Sequence, residues 1–294
     1  MSLRPTLPRL ALAAPLVLAL LQGQAVLAAG NAPAATHESS HVHQEAAAAL
    51  LAERAHLVSE AMTANEDILL AIASLAHNDT HSAYNALSDA SGKLDMVLAR
   101  DPHLKRVPIS TRLTTTDLNA TPAAVKSDLS KARQALSDHR VQEAKRLLRP
   151  LASEMRITTQ YVPLDSYPAQ IHSAIKEIQG GQSQVAAQRL ADTLGTVVTE
   201  EKVIPLPPLK AESDVMDAEA LAKADPVKNK AKALALLDQA KQQLEMGKLL
   251  GYGSYEDIHK EMDAVKTKIT GGSWNERLFD HLKSLLHEAR AKLG

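Results

Sequence analysis

The chain has 294 residues, 33 basic and 34 acidic side chains, a formal net charge of −1 and no cysteine. This balance gives no global footprint for nucleic acid or an anionic membrane surface, and the missing cysteines exclude disulfides, thiol catalysis and Cys–zinc sites. Aromatic residues are 2% and apolar residues 45% of the chain, a mix that disfavours base-stacking or sugar platforms and suits packed helices better than sheet.

The first residues read as a secretory signal. Arg4 and Arg9 form a basic start, Leu10 to Leu21 is apolar apart from Pro15, and Val26-Leu27-Ala28 is a cleavage pattern. Residues 1–28 are therefore expected to be a signal peptide and the mature protein periplasmic. The apolar run is too short for a stable membrane span. Residues 29–43 are polar, small and Pro-containing, which predicts a flexible lead-in carrying His37, His41 and His43.

From Gln44 to about Leu75 apolar residues recur at steps of three and four without Gly or Pro, which predicts one long helix. His77 to His81 breaks it. A second helix runs to about Ala99 and stops before Pro102, because the residue preceding proline is driven out of the α region. Lys105 to Asn119, with Pro108 and a Thr cluster, reads as loop or short extended structure. Thr121-Pro122 looks like an N-cap followed by proline in the first turn. Helix is expected from there to Ser137 and, after a turn at Asp138 to Arg140, on to about Thr158. Tyr161 to Leu209 reads as a Pro-bracketed helical hairpin split by Gly180-Gly181, its final prolines stopping the return helix. Lys210 to Ala224 is moderately helical. Asp225-Pro226 opens a helix to Leu250, in which Leu234, Leu237, Lys241 and Leu244 form a seam for this chain or a second one. Ser254 is an expected N-cap. Ser273 and Glu276 have capping-box spacing ahead of a last helix from Trp274 to about Lys292.

A repeat lies in this spacing. Ile68, Ala71, Leu75, Ala83, Leu87 and Leu94 match in type Leu129, Ala132, Leu136, Ala144, Leu148 and Met155 at the same offsets. They match again Ile171, Ala174, Ile178, Ala186, Leu190 and Val197. Each copy has a turn between its third and fourth positions. Alanine on each arm lets two antiparallel helices approach closely while the aliphatic residues fill the seam. The Ala-to-Ala offset is similar to that of tetratricopeptide repeats, but the fuller signature is absent. The expected fold class is all-α, with antiparallel helical hairpins forming a bundle or short irregular solenoid.

The candidate chemistry is thin. His37, His41 and His43, with Glu38 and Glu45, could chelate a divalent metal, but a flexible segment offers no scaffold, so they read as solvated. His77 and His81 flank Asp79 in a turn, which breaks the helical spacing a metal pair needs and makes them turn residues. Twelve histidines in an exported protein would permit pH sensing at about pH 6. Glu200 and Glu201 on a helix would point about 100° apart, so they make no facing acid–base pair. Gly251-Tyr252-Gly253 lacks the strand and third glycine of a dinucleotide site. No nucleophile elbow, phosphate loop or HExxH motif occurs. No catalytic, cofactor-binding or metal residue is assigned, no cofactor is expected, and the chain is not expected to be an enzyme.

The order of elements resembles the YfdX family. Met62 to Asp101, a helix, polar turn and second helix, is similar to that family's opening hairpin. Met155 to Leu164, Ala174 to Leu190 and Asp192 to Val203 resemble its closing part. The resemblance implies an exported bacterial helical protein linked to acid or drug stress, with chaperone-like, self-associating behaviour. The organisation read from the sequence is a signal peptide over 1–28, a lead-in over 29–43, a YfdX-like domain of three degenerate hairpins over 44–209, and a C-terminal helical extension over 210–294. The expected partners are proteins, either clients or further copies of the chain, and not nucleic acid. A helical module for a small ligand or metal is the alternative.

Overall fold

The structure is a computed structural model that describes residues 34–54, 58–273 and 276–292. The expected signal peptide, residues 29–33 and Trp274 lie outside the described residues.

Eleven α-helices and three strands occur among the described residues, in the order α1 (Ala34–Arg54), α2 (Ser59–Ala76), α3 (Thr80–Arg100), β1 (Arg106–Thr116), α4 (Pro122–Ser137), α5 (Val141–Leu148), β2 (Glu154–Pro163), α6 (Tyr167–Gln179), α7 (Ser183–Leu194), β3 (Val198–Pro205), α8 (Leu206–Ala224), α9 (Lys230–Leu249), α10 (Glu256–Thr270) and α11 (Asp280–Ala291). A 3₁₀ turn at Glu276–Phe279 leads into α11. The helical class and the three hairpins are as expected. The small sheet is the addition.

The sheet is antiparallel in the order β1-β2-β3, with Leu113 opposite Ile157 and Met155 opposite Ile204. β2 occupies part of the helix expected to reach Thr158. That helix stops at Leu148 because Pro150 follows. Beyond it, Met155, Ile157 and Thr159 turn inward while Arg156 and Gln160 face water, a period of two. Threonines disguise this period when only aliphatic residues are counted, but their β-branching suits the pleat. β1 realises the extended reading of Lys105–Asn119. Pro108 is tolerated there because β1 is an edge strand, and the register slips by one residue between Pro108 and Ser110.

Hairpins and strands alternate as α2–α3–β1, α4–α5–β2 and α6–α7–β3. The three hairpin turns are superimposable in hydrogen bonding. Asp79, Arg140 and Gln182 each donate a backbone N–H to the carbonyl five residues back, at 2.9, 2.7 and 2.8 Å. The residue before each lies at positive φ: Asn78 at 60°, His139 at 58° and Gly181 at 76°. This is the Schellman stop, which satisfies orphan carbonyls at the helix end. Asp79 then caps α3 by accepting from Ser82 N at 3.0 Å.

The first and third hairpins pack together. α2, α3, α6 and α7 neighbour one another in a ring around Ile68, Leu87, Leu94, Tyr167, Ile171 and Leu190. The second hairpin stays outside this core, with α4 resting on α9. α8, α9, α10 and α11 form a second ring around Leu237, Leu244, Met262, Phe279 and Leu282, so the expected extension is a helical group with its own core. Leu237 and Leu244 of the expected α9 seam are buried inside it, within one chain.

Several boundaries differ from expectation. The single helix from Gln44 to Leu75 is two helices: α1 begins earlier, at Ala34, and Val58 is extended ahead of α2. His41 and His43 therefore stand on a helix and not in a flexible lead-in. Pro207 and Pro208, read as stops, open α8, where a missing N–H costs nothing. Thr121 caps α4 as expected, accepting from Ala124 N at 3.3 Å. Ser254 does not cap α10; Tyr255 holds that place without a side-chain bond.

Candidate functional site

The joint between the sheet and the second ring gathers a connected network of buried and half-buried polar groups. β2 carries Glu154 and Arg156 two residues apart, so they share one side of the strand. Glu154 is buried and accepts from Arg156 at 2.6 Å. It also accepts from the hydroxyl of Tyr252, in the loop after α9, at 2.7 Å. That hydroxyl in turn accepts from Ser153 N at 3.1 Å. Burial, and then the bond to Glu154, pushes the Tyr252 phenol up to about 12. Arg156 also pairs with Glu201 of β3 at 2.6 Å, and its two carboxylate partners raise its pKa. Beside this network, Lys210 of α8 reaches Asp117 at 2.9 Å, and Asp117 accepts from the Ser153 hydroxyl at 3.2 Å. Every carboxylate named here has a cation or a donor, which suits a structural clamp.

On the other face of the sheet, α1 covers β2 through Val42 and Ala46, which contact the buried Met155, Leu206 and Leu209. Between α1, the β3–α8 corner and α11 lies an open cleft of about 400 Å³. Ala48, Met155, Ile204 and Pro208 give it apolar walls, and Lys202, His287 and Arg290 line it with positive or titratable groups. Arg290 holds the cleft together by pairing with Glu45 of α1 at 3.0 Å and Glu212 of α8 at 3.2 Å. Arg290 is committed to these two carboxylates, so Lys202 and His287 are the remaining nitrogen-bearing side chains on the cleft wall.

The residues singled out in the sequence do not converge on either place. His77 and Asp79 form the α2–α3 turn, and His81 contacts Asn85 at 3.3 Å. Glu200 and Glu201 lie on a strand and not at a helix end. They pair separately, with Arg106 and Arg156, and Arg106 also stacks over the Tyr161 ring with its guanidinium 4.7 Å from the centroid. Of the expected histidine switches, His259 is held below its ordinary value by burial and by Lys241. Among the described residues no group of three His, Asp or Glu side chains could hold a metal ion, and no helix is long and apolar enough to cross a membrane.

Sequence reasoning missed Glu154, Arg156 and Arg290. The first two fell inside an expected helix, where spacing of two carries no meaning. Tyr252 was visible as an aromatic residue between two glycines, a loop composition that leaves the ring free to reach across.

Residues 64–203 match the model of the YfdX protein family, from within α2 into β3, so the resemblance holds over that segment. A solved structure of YfdX from Salmonella Typhi is similar at 15% identity over 51% of this chain and 93% of that chain, with a TM-score of 0.38. So loose a superposition equates neither fold nor function. No curated protein matches the chain.

Proposed function

We propose that this chain is a non-enzymatic, periplasmic interaction protein with chaperone-like behaviour toward unfolded polypeptides under stress. The export half of this reading rests on the sequence pattern at residues 1–28. The binding half rests on the outward side of α2. There Leu69 and Leu70 are 51% and 56% exposed, and the exposed Ala73 and Ala76 continue the line at helical spacing. On α3, Met96 is 52% exposed. Exposed, adaptable apolar side chains on a rigid bundle suit weak capture of many sequences, because Leu and Met re-pack at small cost. The matched family segment includes this surface.

The test uses protein recovered from a periplasmic extract, with its N-terminus expected at Ala29. It should slow the aggregation of a heat-denatured model enzyme, followed by light scattering. The double substitution Leu69→Lys, Leu70→Lys should abolish most of that protection while leaving the far-ultraviolet circular dichroism unchanged. Failure of the unaltered protein to suppress aggregation at any pH removes the chaperone role. Equal protection by the variant removes the α2 surface. Absence from the periplasmic extract removes export.

A further inference from the structure

The second hairpin is the odd one of three. Ile68, Leu75 and Leu87 of the first hairpin and Ile171, Ile178 and Leu190 of the third are all buried, because these two hairpins close on each other. The equivalent Leu136 and Leu148 of the second are 48% and 40% exposed. Val141 is 47% exposed where the other copies carry the polar Thr80 and Ser183. Part of a face built like a core face is thus left open, although Val125, Ala132 and Ala144 of the same hairpin are buried.

Its rim departs from the other copies in one respect. Arg133 and Lys145 lie three or four residues from Leu129, Leu136, Val141 and Leu148, so they flank the apolar strip. The positions equivalent to Arg133 are Ile72 and Ile175, and those equivalent to Lys145 are Tyr84 and Ala187. Over residues 122–149 the chain carries seven basic and three acidic side chains. Pairing this hairpin with its own copy would set like charges together, which costs free energy.

The opposite charge stands on the first hairpin. Residues 59–100 carry six acidic and two basic side chains. The Asp67–Lys93 and Glu60–Arg100 ion pairs fix the antiparallel register of α2 and α3. That register brings Leu70, with Glu66 one turn before it, level with Asp89. Asp89, Gly92 and Met96 then run along one exposed line of α3. Nothing approaches within 4 Å of a Cβ placed on Gly92, so the line is notched there. An acidic, apolar, notched surface complements a basic, apolar ridge.

We propose that the α4–α5 hairpin of one chain docks on the outer α2–α3 face of a second copy, its leucines against Leu70 and Met96 and its Arg133 and Lys145 facing Glu66 and Asp89. The contact joins two different surfaces, so a pair of chains makes it twice if the rotation closes, and longer assemblies grow if it does not. It rests on the reading of the α2 face as a protein-binding surface and names a further occupant of that face.

Sedimentation velocity of the full chain at micromolar concentration tests it. The unaltered chain should associate, and less so at high salt, because the charged rim is screened. Arg133→Glu with Lys145→Glu should leave a folded monomer, and adding Glu66→Lys with Asp89→Lys should restore association. A monomeric unaltered chain, a charge-reversed variant that still associates, or a folded four-site variant that stays monomeric overturns the proposal. So does a chain that binds phosphatidylglycerol vesicles through this hairpin without associating, which would assign the ridge to lipid. The aggregation assay separates this from the client reading: the Arg133→Glu, Lys145→Glu variant keeps the α2 face and should protect at least as well as the unaltered chain.

Discussion

His139 shows how one backbone torsion is shared by three unlike side chains. Its φ of 58° is the left-handed conformation that Asn78 and Gly181 adopt in the equivalent turns. Glycine adopts it freely and asparagine tolerates it, whereas a Cβ with a ring attached is crowded against the carbonyl. His139→Gly is therefore expected to raise stability by about 0.5–1 kcal/mol, and Gly181→Ala to lower it by a similar amount. Urea denaturation midpoints check both; a lower midpoint for His139→Gly would mean that the imidazole makes a compensating contact. The turn positions were legible in the sequence as breaks in periodicity. The positive φ at His139 was not, because only glycine announces it.

The hairpin is the element on which this chain is built, and alanine sets its width. Ala174 and Ala186 face each other's helix in the third copy and both are fully buried. A larger side chain must push α6 from α7 or move the neighbouring α2. Ala186→Leu should accordingly destabilise the protein by ~1–3 kcal/mol, read as a lower melting temperature. An unchanged melting temperature would show that the seam has slack. The periodicity of Ala and Leu made all three hairpins visible in advance, because local helix packing repeats every three to four residues. β2 and β3 were invisible for the complementary reason: their stability lies in hydrogen bonds to strands far away in sequence, and Thr-rich alternation is a weak local signal. The Glu154–Tyr252 clamp inherits that blindness, since its two partners lie 98 residues apart.

At the scale of the whole molecule, a tyrosine marks each packed region: Tyr167 buried in the first ring, Tyr255 buried in the second and Tyr252 half-buried at the joint. Burial raises all three phenols from 10.0 to about 12. A raised folded-state value means that the folded chain holds these protons more tightly than the unfolded chain does. The associated stability is complete below the unfolded value of 10.0 and is lost as pH rises through about 12. The melting temperature should fall across that window, and Tyr252→Phe should make the fall shallower by removing the joint's contribution. A melting temperature indifferent to pH there would show that the rings are solvated.

The sequence by itself determined the helical class, the three hairpins and their turns, and the lack of a recognisable reaction motif, because periodicity, proline and glycine act over a few residues. Only the tertiary structure decided which hairpins close on each other and which one stays open, and that the C-terminal residues form a helical group with its own core. Burial is the reason. Leu75 and Leu136 sit in equivalent places of equivalent hairpins, yet one is covered and the other half-exposed. The difference comes from neighbours that no local pattern encodes.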